Sequence, residues 1–408
     1  MKRKACIVVA CEMTIRTFLV RQLKAMQDEY DVTVVVNTAN AALLQELGIA
    51  GRLQVVAIER AIAPLSDLRC LNDLIRLMRR ERFDLVHSMT PKAGLLAMVA
   101  ARVARVPVRL HTFTGQVWAT RAGFGRAALK FLDTTIARAA TFALADSHSQ
   151  RSFLVSEGVI PASKVAVLAS GSVSGVDAAR FRPDAERRHR VRTSLGVPAT
   201  DIVLLFLGRL TRDKGVLDLA RAFATLAERH SDIHLLVVGP DEQRLSPAIR
   251  EVCGRQQVRL HSCHYTNAPE DFMAASDILC LPSYREGFGT VIIEAAAAGL
   301  PTVASRIYGV VDAVVDGSTG LLHEPADVNG IVDQLQRLID SPELRRSLGA
   351  AGQARAARDF SQNTVTSAVL GLYARLLAGT APSEQEHRVG PDAQLQDTSW
   401  TRQQECAK

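Results

Sequence analysis

The chain alternates between short apolar runs and longer segments with helical spacing. Up to about residue 170, seven apolar runs stand between amphipathic segments. Runs of this length and composition are typical of parallel strands that are buried on both faces of a sheet. The predicted strands are ACIVVA (5–10), DVTVVV (31–36), LQVVAI (53–58), FDLVH (83–87), PVRLH (107–111), TFALA (141–145) and KVAVL (164–168). The pattern predicts a doubly wound α/β domain over residues 1–170.

The alternation then stops and starts again. Residues 170–177 are rich in turn-forming types and residues 184–192 are densely charged, so 171–200 is predicted as a linker. Further strands are predicted at DIVLLFLG (201–208), IHLLVVG (233–239), QVRLH (257–261), DILCLP (277–282) and PTVAS (301–305). A second α/β domain follows over 201–362, and a last helix is predicted over 363–379. Residues 380–408 are polar without periodicity, which predicts a disordered tail.

Charge separates the two halves of the chain. Residues 1–185 hold 25 Lys and Arg against 15 Asp and Glu, so this half carries about +10 and the remainder about −3. A basic half favours an anionic partner such as a phosphorylated substrate or a membrane surface, and a solvated basic surface is the alternative. Aromatic residues make up 5% of the chain, which is too few for the stacking platforms of a nucleic-acid-binding protein. No run reaches the roughly 18 apolar residues of a spanning helix, and the seven cysteines fit no disulfide pattern, which predicts a cytoplasmic protein.

The segment REGFGT (285–290) followed by Glu294 carries the strongest chemical signal. A glycine-rich turn leads into a helix predicted from Thr290, as its N-cap, to Ala298. The first N–H groups of such a helix are unpaired and carry the positive end of the helix dipole, so they can hold a phosphate. Glu286 and Glu294 flank that anion cradle and can accept hydroxyl hydrogen bonds. The pattern predicts a sugar-nucleotide site; a glycine turn of structural meaning alone is the alternative.

Two cations follow the predicted strand 201–208. Arg209 and Lys214 come directly after Gly208. A leaving diphosphate becomes more negative as the glycosidic bond breaks, so fixed cations there favour the transition state over the ground state. Surface charges in a polar turn are the alternative interpretation.

These motifs, in this order, resemble the GT-B glycosyltransferases and, within them, the retaining enzymes of glycosyltransferase family 4. The resemblance implies two Rossmann-like doubly wound domains facing a cleft, with the C-terminal helix packing back toward the first domain. It rests on Gly208-Arg209-Leu210, Asp213-Lys214-Gly215, Asp277 to Ser283, Glu286-Gly287-Phe288-Gly289 with Glu294, Gly299 to Val303, and a hinge-like segment at 168–181.

The resemblance also assigns roles. It implies that the donor is held by Gly208, by the backbone of Gly287, Phe288, Gly289 and Thr290, and by Glu294 at the ribose. It implies that catalysis involves His111, Arg209, Lys214 and Glu286. The local sequences at 11–14, 87–92 and 111–115 resemble the bacterial branch that builds O-antigen, capsule and exopolysaccharide on a polyprenyl-diphosphate carrier. Acceptor contacts are expected from Glu12, Thr14, His87, Thr90 and Lys92.

One loop departs from the family. Many relatives carry a Gly-Gly pair after the first strand, where this chain has Ala10-Cys11-Glu12-Met13-Thr14. The first domain is therefore expected either to contact the donor less closely or to use Glu12 and Thr14 for the acceptor.

The expected activity is retaining transfer from a nucleoside-diphosphate sugar, UDP-linked, to a lipid-linked glycan, without a cofactor. No divalent metal is expected, since the spacing of Cys253, His261, Cys263 and His264 fits no zinc ligand set. The expected location is the cytoplasm, with peripheral association at the inner membrane through a basic face. The residues considered for that face, with a solvated surface as the alternative, are Arg76, Arg79, Arg80, Arg82, Arg121, Arg126 and Lys130. A sugar-nucleotide epimerase and a non-catalytic scaffold subunit are the rival functions.

Overall fold

In the computed structural model, which describes residues 2–59 and 63–380, the first half of the chain forms a seven-stranded parallel sheet. The order is β3-β2-β1-β4-β5-β6-β7. Its strands are β1 Arg3–Val8, β2 Tyr30–Val36, β3 Arg52–Val55, β4 Leu85–Met89, β5 Val108–Phe113, β6 Phe142–Ala145 and β7 Val165–Ala166. The predicted apolar runs are therefore strands, with ends that differ by a few residues, because apolar runs continue into the loops that leave the sheet.

Helices cover both faces of this sheet. They are α1 Glu12–Thr14, α2 Val20–Met26, α3 Leu43–Glu46, α4 Pro64–Glu81, α5 Pro91–Val103, α6 Gly123–Ala139 and α7 His148–Ser156. A π-helical segment, Ile15–Leu19, joins α1 to α2, and a 3-10 turn, Ala162–Lys164, precedes β7. The helices α4, α5 and α6 pack on one face, and α2 and α3 pack on the other.

The second half repeats this architecture with six parallel strands in the order β10-β9-β8-β11-β12-β13. The strands are β8 Ile202–Leu207, β9 Ile233–Val238, β10 Leu260–Cys263, β11 Ile278–Leu281, β12 Thr302–Ser305 and β13 Gly320–His323. The helices are α8 Ala185–Leu195, α9 Val216–Leu226, α10 Ser246–Cys253, α11 Pro269–Ala275, α12 Thr290–Ala297, α13 Val310–Ala313, α14 Val328–Asp340 and α15 Pro342–Asp359, with 3-10 turns at Arg212–Lys214 and Gly254–Arg259. Two doubly wound parallel sheets confirm the predicted fold class.

The charged run inside the predicted linker forms helix α8. Asp184 caps it by accepting a hydrogen bond from the N–H of Arg187 at 2.9 Å, and Gly196 ends it in the left-handed conformation. Arg192 is buried and pairs with Asp277 at 2.6 Å, which attaches the helix to the second domain. The predicted limits of the domains and the linker stay predictions, and the predicted disordered tail lies outside the described residues except for Thr380.

The last helix, α16 (Gln362–Leu377), returns to the first domain. Its Tyr373 is fully buried there among the residues that pack under α2. The Tyr373 hydroxyl lies 2.6 Å from Nε2 of Gln22 and 2.6 Å from Nδ1 of His87. Val176 and Ser361 pair where the chain passes between the domains. The first domain is thus completed by the end of the described chain.

Each sheet has a point where the strand order reverses, between β1 and β4 in the first and between β8 and β11 in the second. In open parallel sheets, ligands bind outside the carboxyl ends of the strands at such a point. Arg209 follows β8 and Glu286 follows β11, whereas Glu12 follows β1 and Thr90 follows β4. The fold therefore places donor and acceptor candidates at the two switch points.

Candidate functional site

The loops after β8 and β11 meet through an ion pair. Nζ of Lys214 lies 2.5 Å from Oε1 of Glu286, and the hydroxyl of Ser283 donates to the same oxygen at 2.8 Å. Both charged side chains are mostly buried, at 17% and 11% exposure. The pair joins the two loops at the switch point, so it places a cation and a carboxylate where a ligand would bind.

Arg209 lies in a separate ion pair. Its Nη1 is 2.9 Å from Oε2 of Glu242, and its side chain is 38% exposed. Arg285, beside Glu286, pairs instead with Asp213 at 2.7 Å. Of the predicted catalytic residues in this domain, the structure brings Lys214 and Glu286 together but does not bring Arg209 to them.

Helix α12 begins one residue earlier than the sequence pattern predicts, since Thr290 was predicted as its N-cap. Gly289 is the N-cap, in the left-handed conformation with φ of 83°, and Thr290 is the first helical residue. A left-handed cap strongly favours glycine, which is why Gly289 and not Thr290 takes the position. Among the described residues, the backbone N–H groups from 287 to 291 have no hydrogen-bond acceptor. The helix start therefore presents free donors, as a phosphate site requires.

Phe288 and Glu294, which lie on either side of this helix start, have different surroundings. The Phe288 ring is buried and packs edge-on against Phe360, so its side chain belongs to the core. The Glu294 carboxylate has no hydrogen-bond partner in the described part of the chain. Burial raises its pKa to about 7, and the nearby Arg180 lowers the pKa less than burial raises it.

The glycine-rich loop packs directly against the first domain. A Cβ on Gly287 would lie 2.7 Å from the carbonyl carbon of Thr114 and 2.7 Å from a carboxylate oxygen of Asp146. The Gly287 carbonyl accepts a hydrogen bond from Ser147 Oγ at 3.0 Å. Glycine is required here because two backbones meet. The glycine-rich loop thus lies against the carboxyl ends of β5 and β6.

His111 lies within β5, which continues for two residues beyond the predicted end because Thr112 and Phe113 pair with β6. Its ring is buried, with Nδ1 2.9 Å from the Ser88 hydroxyl. Burial lowers the pKa of His111 to about 3, so the ring is neutral near pH 7. A Cβ on Gly94 would lie 2.3 Å from the ring, so glycine lets α5 approach the histidine.

Several predicted acceptor residues have partners within the first domain. The Glu12 carboxylate accepts hydrogen bonds from Arg16 at 2.6 Å and from Thr38 at 2.8 Å. Thr14 Oγ1 lies 3.4 Å from the Cys11 sulfur. Glu12 is therefore held in place beside the first switch point.

Thr90 and Lys92 start helix α5. Thr90 is a non-glycine residue with φ of 70°, and its hydroxyl is buried without a hydrogen-bond partner among the described residues. Strained backbone of this kind is concentrated at functional sites. Nζ of Lys92 lies 2.6 Å from Asp67, which joins α5 to the start of α4.

His87 does not join the other acceptor candidates. Its side chain is fully buried; Nδ1 contacts the Tyr373 hydroxyl and Nε2 lies 2.8 Å from Thr112 Oγ1. With both ring nitrogens occupied, His87 holds α16 against β4 and β5. The sequence pattern, which places His87 at a strand end, could not show that it is covered by a helix whose contacting residue lies 286 positions away.

Two family models match the chain. Residues 14–171 match a "Glycosyl transferase 4-like domain", and residues 187–355 match "Glycosyl transferases group 1". The chain is a GT-B glycosyltransferase of the family 4 type. It is 29% identical over 324 residues to the capsular polysaccharide biosynthesis glycosyltransferase CapM of Staphylococcus aureus, covering 78% of this chain and 84% of that one.

This glycosyltransferase is also similar to two further proteins. It is 27% identical to the UDP-Gal:alpha-D-GlcNAc-diphosphoundecaprenol alpha-1,3-galactosyltransferase of Escherichia coli, over 70% of this chain and 74% of that one. The crystal structure of Anabaena HepE in complex with UDP and glucose superposes with a TM-score of 0.75 at 20% identity, covering 91% of this chain and 99% of that one. The HepE likeness establishes the fold.

The glycosyltransferase has interdomain contacts that no motif indicated. Asp312 of the second domain accepts hydrogen bonds from the N–H of His148 at 3.1 Å and of Ser149 at 3.2 Å, and from the Ser149 hydroxyl. The Tyr308 ring stacks on Phe153 of the first domain at 4.7 Å. A carboxylate in one domain thus caps a helix in the other.

Asp146 is a second residue that the sequence pattern missed. It directly follows β6, and its Oδ1 is buried without a hydrogen-bond partner in the part of the chain that the structure describes. Burial raises the pKa of this carboxyl group well above its usual range. Its position immediately after a predicted strand was the one signal available in the sequence.

Replacing Asp312 by alanine is expected to weaken domain closure by about 2–3 kcal/mol, because charged hydrogen bonds across the cleft are lost. Hydrogen exchange measures the effect: amides at the start of α7 should exchange about 30-fold faster or more. The matched control is Asp333→Ala, an exposed carboxylate of α14. Equal exchange in the two variants would show that Asp312 does not hold the domains together.

The histidine and cysteine group considered for zinc is arranged differently. Nε2 of His261 lies 3.0 Å from Nδ1 of His234, whose Nε2 lies 3.0 Å from Asp201. Among the described residues, no three His, Cys, Asp or Glu side chains form a cluster that could hold a metal ion. Within the same part of the chain, no helix is long and apolar enough to cross a bilayer.

Proposed function

We propose that this glycosyltransferase moves a sugar, with retention of its anomeric configuration, from a UDP-sugar to a polyprenyl-diphosphate-linked glycan. The product would be part of a bacterial surface polysaccharide such as lipopolysaccharide, capsule or exopolysaccharide. The reaction would take place at the cytoplasmic face of the inner membrane, on a peripherally bound enzyme, and would need neither metal nor cofactor.

The observation that carries the proposal is the joining of Lys214 and Glu286 beside the free N–H groups of α12 at the second switch point. A diphosphate needs a cation and backbone donors, and both are held there on loops of one sheet edge. In this proposal Lys214 turns from Glu286 toward the β-phosphate when the donor binds. Glu286 is then free to accept a hydroxyl hydrogen bond of the sugar.

Retention would follow from front-face displacement. The departing phosphate takes the proton of the acceptor hydroxyl, so the reaction needs no dedicated base. Neutral His111, on the strand whose exit contacts Gly287, can donate a hydrogen bond to the sugar without adding charge. Fixed positive groups of the protein, placed beside the leaving diphosphate, would supply the main stabilisation of the transition state. Arg209, exposed and paired with Glu242, would join the phosphates only after donor binding.

The names of relatives support the choice of substrates. The Escherichia coli relative uses UDP-Gal and a diphosphoundecaprenol-linked sugar, and the Anabaena fold neighbour holds UDP and glucose. The Staphylococcus aureus relative takes part in capsule synthesis. The first two names support a UDP-linked donor, and the third supports a product in a surface polysaccharide.

UDP affinity is expected to rise about tenfold between pH 6 and pH 8, because ribose hydroxyls bind the ionised Glu294 carboxylate. The pKa of Glu294 is raised to about 7 in the free protein, so ionisation, and with it binding, increases through this range. Titration calorimetry at pH 6, 7 and 8 measures it. Glu294→Gln should remove this rise and leave only the shallower dependence of the UDP phosphate itself; an equally steep rise in the variant would exclude Glu294 from the ribose site.

The proposal as a whole is tested by a thermal-shift panel of UDP-, GDP- and dTDP-sugars, followed by assay of nucleotide release. A ligand that binds only the folded state raises the melting temperature by mass action. Stabilisation by UDP-sugars together with UDP release that Glu286→Ala abolishes would support transfer. Stabilisation without release would favour a scaffold subunit, and conversion to an epimeric UDP-sugar would favour an epimerase.

A further inference from the structure

Helix α6 exposes two large aromatic side chains to solvent. Phe124 is 89% exposed and Phe131 is 62% exposed. They are seven residues apart, so they share one face of the helix. Ala127, between them, is exposed on the same face. Burial of one phenylalanine side chain changes a binding equilibrium by about tenfold to a hundredfold. Two exposed rings on one helix face therefore indicate an interaction surface.

The exposed charged side chains that flank the two rings are basic, whereas Glu157, at the end of α7, pairs with Arg126 and Lys130 of α6 at 2.7 Å each. Arg121, just before the helix, and Arg138, in its last turn, are exposed. Asp133 is the one acidic residue in the α6 sequence; it is buried and accepts a hydrogen bond from Nε1 of Trp118 at 2.7 Å. The exposed face therefore combines aromatic rings and cations without a carboxylate, as interfacial helices on anionic membranes do.

A groove beside α6 extends the same chemistry. It lies between α5 and α6, and its lining mixes apolar and basic side chains. The lining residues are Val99, Arg102, Val103, Thr135, Arg138 and Ala139. Val103 is 46% exposed. An anionic headgroup could pair with the two arginines while apolar chain atoms contact the valines.

Helix α4 offers a weaker alternative. Leu65 and Leu68 are exposed at its start, and Arg76 and Arg79 are exposed further along. Its exposed side also carries Asp73. Acidic groups on the exposed side would be repelled by an anionic surface, so α6 is the better membrane surface.

We infer that the exposed face of α6 is a membrane-binding surface for an anionic bilayer, with Phe124 and Phe131 inserted at the headgroup boundary and Arg121 and Arg138 paired to phosphates. The start of this surface lies near the interdomain cleft, because the segment before α6 contacts the second domain: the backbone N–H of Gln116 donates to the Tyr308 hydroxyl at 3.2 Å. This deepens the proposed function, since a lipid-linked acceptor would be presented where the enzyme contacts the bilayer.

The test is sedimentation of the full chain with extruded vesicles, either phosphatidylglycerol mixed with phosphatidylethanolamine or phosphatidylcholine alone. The full chain should sediment with the anionic vesicles, and salt should weaken that binding. The double variant Phe124→Ser/Phe131→Ser should bind at least about tenfold more weakly. Arg121→Gln and Arg138→Gln should each reduce binding about fivefold.

The matched control is Val258→Ser/Tyr265→Ser, which removes two exposed apolar side chains from the second domain (78% and 52% exposed). It should bind vesicles like the unchanged chain. All the substituted side chains lie on the surface, so unchanged melting temperatures would show that folding is intact. Absence of binding to anionic vesicles, or equal losses in the α6 and control variants, would overturn the inference. UDP release without vesicles tests the proposed function separately, so the two can fail independently.

Discussion

Replacing Lys214 by methionine is expected to lower the turnover of the UDP-sugar by a factor of 10² to 10³, or about 3–4 kcal/mol of transition-state stabilisation. Methionine keeps the length of the side chain and removes the charge. The effect on UDP-sugar affinity should be smaller, about tenfold, because the β-phosphate gains its additional negative charge only as the glycosidic bond breaks. The measurement is UDP release under saturating donor, with the affinity for the intact UDP-sugar from calorimetry.

The neighbouring Arg212 provides the control for this prediction. It is exposed and belongs to the same short 3-10 turn, so Arg212→Met removes one positive charge two residues away. If the general potential of the surface were responsible, both variants would lose activity alike. If the ammonium group of Lys214 acts at the leaving phosphate, only its loss should reduce turnover strongly. A Lys214→Met enzyme with unchanged turnover would rule out this role.

Replacing Tyr373 by alanine is expected to destabilise the first domain by at least about 5 kcal/mol. Removal of a fully buried aromatic ring costs about 3–5 kcal/mol, and each buried polar partner left unpaired costs about 1–3 kcal/mol more. The partners are the side chains of Gln22 and His87. The measurement is thermal unfolding monitored by near-ultraviolet circular dichroism. The first transition of the variant should occur at a clearly lower temperature than that of the unchanged protein.

Two further variants separate packing from hydrogen bonding. Tyr373→Phe keeps the ring and loses the hydroxyl, so it should cost about 2 kcal/mol. Tyr265→Ala removes a tyrosine that is 52% exposed in the second domain and should change stability by less than about 0.5 kcal/mol. A melting temperature of Tyr373→Ala equal to that of Tyr265→Ala would show that α16 does not stabilise the first domain.

The alternation of apolar runs predicted the fold because parallel strands buried on both faces must be continuously apolar. Strand β13, Gly320–His323, gave no such signal: it has four residues, directly after a turn-rich segment. Helix α8 was predicted as a linker because charges surround it almost completely. Its capping residues Asp184 and Gly196 were nevertheless visible in the sequence.

The candidate site was predictable where local sequence determines local geometry. The glycine turn before α12 and the cation after β8 are of that kind. The partners of Arg209 and His87 were not predictable, since each depends on a residue brought close by tertiary packing. The exposure of Phe124 was equally hidden, because helical spacing shows which residues share a face but not whether another element covers that face.

The return of α16 to the first domain affects how the protein can be divided. A fragment with residues 2–170 contains every strand of the first sheet and yet lacks the helix that covers α2. Such a fragment would expose the apolar surface on which Leu372 and Tyr373 pack, and it is expected to aggregate when expressed alone. Supplying residues 361–379 through a short Gly-Ser connection should restore solubility. A binding study of one half in isolation therefore needs a chimeric fragment with the helix attached rather than a simple truncation.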